Sequence, residues 1–98
     1  MSKKQLEVFI DESLSRAKLK KYTPHIFIRN RAENHGSSIE VIERLVKSGD
    51  IQTGFKKMKQ LGLIDWTVEA AVLKFPDLFT DDARKCADFR INVLANIN

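Results

Sequence analysis

The densest run of groups that could do chemistry is Arg29-Asn30-Arg31-Ala32-Glu33-Asn34-His35. Glu33 and His35 are the residue types of acid–base catalysis, and Arg29 or Arg31 could hold an anion beside them. Neighbouring positions on a helix point in different directions, so the run does not converge without groups from elsewhere. A polar loop or an exposed helix end accounts for the same residues. A nucleophile needs a base and the base an orienter, and no other stretch supplies that set. The chain is therefore read as non-enzymatic. His25 and His35 stand ten apart, with no Cys or His pair at zinc-site spacing. Cys86 falls on an apolar stripe, where it acts as a small hydrophobe. Gly54 and Gly62 lie eight apart and no Gly-Lys-Ser/Thr follows, so there is no phosphate loop. No metal or cofactor is expected.

Binding chemistry is better represented. Gln52, Lys56, Lys57, Lys59 and Gln60 fall on the outer face of a helix predicted over 51–61, suited to phosphates and base edges. Gly49 and Gly62, on either side, invite comparison with a helix-turn-helix. With Gly62 as the turn, the reading helix would be 66–75, whose Trp, Val, Ala, Leu and Phe residues want a core; that version fails. With Gly49 as the turn, the reading helix is 51–61. Arg44 and Leu45 then sit where an apolar and a small residue usually allow close packing, and the reading face lacks arginine. A solvated lysine face explains the pattern as simply. A second basic group, Lys18, Lys20 and Lys21 with Arg16, ends the first helix and complements its dipole. Should the two groups share a surface, that patch suits an acidic partner.

Two oddities point to protein partners. Val8 and Leu19 lie roughly opposite the main stripe of the first helix, leaving apolar residues on two of its sides. Arg90 falls in the middle of the last helix's apolar stripe. It is either an interface arginine or one partner of a structural salt bridge, with Asp65, Glu69 or Asp77 available.

The elements that must position these groups are helices. Leu6, Phe9, Ile10, Leu14 and Ala17 stripe a helix over 3–20. Thr23-Pro24 should cap and start a second over 25–34, where His25-Ile26-Phe27-Ile28 also has strand-like composition. Ser37 with Glu40 reads as a capping box for a third helix, closed by Gly49. Asp50 should cap the helix over 51–61, and Gly62 should stop it with Leu63 making the apolar contact. Asp65 should start a helix over 66–75 that is apolar all round and central, ended by Pro76. Thr80 caps the last helix, which carries Ala83, Cys86, Ala87, Ile91, Leu94 and Ile97. The expected fold is all-α: one domain over 1–98, a compact orthogonal bundle of five or six short helices around 66–75.

Composition agrees. The chain has 17 Lys and Arg against 13 Asp and Glu, a charge of +4, with 43% apolar residues, which excludes a disordered tail. The charge is uneven: residues 1–62 carry an excess of +6 and residues 63–98 one of −2. One cysteine excludes an intrachain disulfide and suits a reducing, cytoplasmic setting. No apolar run is long enough for a membrane span, and Met-Ser-Lys-Lys lacks the apolar stretch of a secretory signal. The leading reading is a small non-enzymatic interaction module, binding a protein partner or self-associating as a homo-oligomer through its first helix. The alternative is a nucleic-acid-binding regulator using 51–61.

Overall fold

The computed structural model describes residues 2–47 and 53–93, and these contain helices and turns with no strand. The helices are α1 (Lys3–Leu19), α2 (His25–Glu33), α3 (Ile39–Lys47), α4 (Thr53–Gln60), α5 (Val68–Lys74) and α6 (Asp81–Asn92). Short 3₁₀ turns, Ile64–Trp66 and Pro76–Leu78, bracket α5. The predicted roles of Gly49, Asp50, Ile51, Leu94 and Ile97 lie outside the described residues.

α1 starts where Ser2 and Gln5 cap each other. Ser2 Oγ accepts from the Gln5 N–H at 3.1 Å, and Gln5 Oε1 accepts from the Ser2 N–H at 2.9 Å. Its stripe buries Leu6, Phe9, Ile10 and Ala17 as the spacing predicts. The helix ends in a Schellman turn: Tyr22 N–H donates to the Ala17 carbonyl and Lys21 N–H to that of Lys18, with Lys21 at φ 62°. α2 closes the same way around His35, at φ 58°. Neither residue is glycine, so both turns carry backbone strain. α4 stops at Gly62 in the predicted manner, with Leu63 N–H donating to the Met58 carbonyl and the two side chains packed together.

The 25–34 segment is helical. Pro24, rather than Thr23, is its N-cap residue, and no side chain caps it. The box expected at Ser37 and Glu40 is built differently. Ser37 Oγ donates to the Glu40 carboxylate, while Ser38 donates through both N–H and Oγ to Glu7, at 2.8 and 2.6 Å. Glu7 also accepts from Arg31 at 2.8 Å, so one carboxylate ties α1, α2 and α3 together. Thr80 caps α6 as predicted, accepting from Ala83 N–H.

The expected helix over 66–75 is shorter and less uniform. Thr67 adopts an extended backbone and its Oγ1 accepts from Ala70 N–H. That capture starts α5 at Val68 and leaves Asp65 and Trp66 in the preceding 3₁₀ turn. α5 is nonetheless central, packed on α6, α3 and α1. Ala71 and Val72 are fully buried, but Leu73 is exposed on the outer side. The main core joins Leu6 and Ile10 of α1 to Val41, Ile42 and Val46 of α3 and Ala83 and Ala87 of α6. Each large aliphatic side chain buried there contributes about 1.5–3 kcal/mol. A smaller cluster of Ala17, Met58 and Leu63, with Tyr22, Leu61 and Trp66 against it, joins the end of α1 to α4.

Candidate binding surface

The smaller cluster is the key to the site. The Schellman turn that ends α1 swings Tyr22 back over Ala17, and the Gly62 stop does the same for Leu63 over Met58. The two helix ends thereby pack together. A Cβ placed on Gly54 of α4 would sit 3.5 Å from the Tyr22 hydroxyl.

Between them lies a half-open pocket of about 380 Å³. Its apolar lining comes from Leu14 and Ala17 of α1, Phe27 of α2, Phe55 and Met58 of α4, and Trp66. Two hydroxyls in the lining are already engaged: Ser13 Oγ donates to the Phe9 carbonyl and Thr67 Oγ1 to that of Ile64. Tyr22, whose phenol pKa is pushed up by burial, His25 and the buried Glu69 add polar groups. A pocket of this size, mostly apolar with few polar groups, is the usual shape of a binding site.

The same two helix ends carry the lysines. Lys18, Lys20 and Lys21 are exposed at the end of α1; Lys56, Lys57 and Gln60 are exposed on α4, and Lys59 is half-buried. Residues 16–22 and 53–60 include no acid. The two basic groups that the sequence leaves separate thus lie on adjoining elements beside one apolar pocket. Gln52 lies outside the described residues. α4 packs chiefly on the Ile64–Trp66 turn.

Arg90 is one partner of a buried salt bridge, with Glu69 as the acid. It is 5% exposed, its Nη1 lies 2.7 Å from Glu69 Oε2, and it also donates to the Leu45 carbonyl. Burial pushes the Glu69 carboxyl up in pKa, and the guanidinium offsets this only in part. Glu69 Oε1 is buried and has no hydrogen-bond partner among the described residues. Val8 and Leu19 are exposed, at 60% and 83%. Val8 borders a second, shallower groove with Phe9, Trp66 and Phe75.

The polar run at 29–35 does not converge. Arg31 is committed to Glu7 and Asp11, both at 2.8 Å. Desolvation works against its charge, but these two carboxylates outweigh it and raise its pKa. Glu33 and His35 are exposed, and neither of the two grooves includes Arg31, Glu33 or His35. Cys86 is half-buried, and no cluster of metal-ligating side chains occurs among the described residues. No described helix is long and apolar enough to cross a membrane.

The pocket residues Tyr22, Phe55, Met58 and Trp66 were not readable as a site. Each sits in an ordinary apolar stripe or beside a turn, and only the junction of two helix ends groups them. Comparison with known proteins returns no matching family model, no matching curated protein and no matching solved structure.

Proposed function

We propose that the protein is an interaction module that binds an acidic segment of a protein partner, seating one apolar side chain of that segment in the pocket. The observation that carries this reading is the coincidence of the apolar pocket with two acid-free, lysine-bearing helix ends. Apolar recognition and charge recognition would then divide the work. One buried Leu or Phe contributes about 1.5–3 kcal/mol. The exposed lysines add at most about 1 kcal/mol per pair, acting mainly on the rate of encounter and on choice of partner.

A second reading, nucleic-acid binding, is favoured by the same lysine-bearing helix ends. It makes no use of the pocket, and α4 lacks arginine. Fluorescence anisotropy separates the two. The probes are labelled acidic peptides with and without one Leu or Phe, and mixed-sequence oligonucleotides. Lys56→Glu with Lys57→Glu should weaken either kind of binding. Gly54→Leu, which fills the pocket beside Tyr22, should weaken peptide binding alone. A peptide with its apolar residue that binds no tighter than the same peptide without it sinks the first reading. Oligonucleotide binding indifferent to Gly54→Leu supports the second.

A further inference from the structure

α1 also carries an exposed stripe away from that pocket, with Lys4, Val8 and Glu12 spaced four apart. Beside it runs a shallow groove of about 620 Å³, with Phe9, Trp66 and Phe75 among its walls and Lys74 at its edge. The aromatic wall is well supported. Phe9 stacks on Trp66 with centroids 5.1 Å apart and meets Phe75 edge-on at 5.9 Å. Arg16, held by Glu12 at 3.0 Å, lies 4.2 Å over the Trp66 ring.

We propose that this face binds a second copy of the chain, α1 against antiparallel α1, about a two-fold axis at Val8. Such an axis sets each residue n places before Val8 opposite the residue n places after it in the second copy. Lys4 therefore faces Glu12 of the second copy, and Glu12 faces its Lys4. One helical stripe supplies two opposite-charge pairs around an apolar centre. Along this stripe, other registers lack this property. An axis one turn later would set Glu12 against itself, and one turn earlier would set Lys4 against itself. The charge pattern thus selects the Val8 axis.

Lys74, whose Nζ lies 5.6 Å from the Phe9 ring centre, places another cation on the groove's edge. One helix and one groove bury little area, within the class below about 1,200 Å² where association is weak and reversible. The face is distinct from the pocket of the proposed function, although Trp66 borders both. Lys56→Glu with Lys57→Glu should leave self-association unchanged, so the two readings can fail separately.

The test is sedimentation velocity from about 10 µM to about 1 mM, a range that brackets weak association. The wild-type weight-average mass should rise from 11.3 kDa towards twice that value. Lys4→Glu alone and Glu12→Lys alone should each weaken association at least about tenfold, because each makes the stripe single-signed. An equimolar mixture of the two variants pairs an acidic stripe with a basic one and should regain the dimer. That recovery also shows that both variants are folded. Val8→Lys should abolish association. A monomer at every concentration overturns the proposal; so does a dimer indifferent to both reversals, or a mixture that fails to associate.

Discussion

Removing the guanidinium of Arg90 should cost this protein much of its stability, and the cost should depend on pH. The Glu69 and Arg90 side chains are 1% and 6% exposed and meet at 2.7 Å. Arg90→Met keeps the apolar stem but leaves a buried carboxylate without its cation. Breaking a buried pair in this way costs about 3–5 kcal/mol, against about 5–15 kcal/mol for a whole domain. Glu69 already has its pKa raised by burial, and losing Arg90 raises it further. A carboxyl whose folded pKa lies above its unfolded value binds its proton more tightly in the folded state. Stability is then greatest below the unfolded pKa and falls as pH rises through the folded one. The deficit of Arg90→Met should therefore be large at pH 7 and smaller near pH 5. Adding Glu69→Leu removes the stranded charge and should recover most of the loss. Because Glu69 Oε1 has no partner even with Arg90 present, the double variant should come close to wild type. Urea unfolding followed by circular dichroism at the two pH values measures all of this. A loss below about 1 kcal/mol for the single variant at pH 7 would refute the reasoning. A deficit equal at both pH values, or a double variant no better than the single one, would do so too.

Two other expectations are simpler to check. Lys21→Gly and His35→Gly relieve left-handed backbone at φ 62° and 58° and should each raise stability by about 0.5–1 kcal/mol, seen as an upward shift in thermal midpoint. Glu43 accepts from Thr80 N–H and Oγ1; burial opposes its charge, but these bonds outweigh burial and hold its pKa below the usual value. Its contribution is thus present above the unfolded value near 4.5 and lost as pH falls through the folded one. Glu43→Gln should accordingly flatten the acid side of the stability profile, and an unchanged acid limb would contradict that.

What could be read from residue types was what depends on neighbours within about one turn. The α1 stripe, the Thr80 cap and the Gly62 stop are all local, and they stand as expected. The start of α5 was misplaced because two local signals compete there. Asp65 looks like a cap, but Thr67 captures the amide three residues on and leaves Trp66 outside the helix. The Ser37–Glu40 box failed for a tertiary reason, since Glu7 claims the next serine from across the bundle. Arg90 needed a choice among three acids, which its position in the stripe does not make. The pocket is a product of packing: two helix ends, each closed by its own turn, leave space where they meet. The lysines are legible in the sequence, but the packing of the two helix ends that carry them is not.

The division of the apolar interior into a large cluster and a small one has a kinetic side. Ala17, Met58 and Leu63 bury far less surface than the cluster joining α1, α3, α5 and α6, so contacts holding α4 should break at lower free energy than the rest. Amide hydrogens of α4 should then exchange with solvent by partial opening, while those of α5 and α6 await global unfolding. A side chain seated on Phe55 and Met58 would close that gap, slowing exchange in α4 without touching the slowest amides. Binding at this pocket would thus be written into the protein as a local change of cooperativity, with no change of shape.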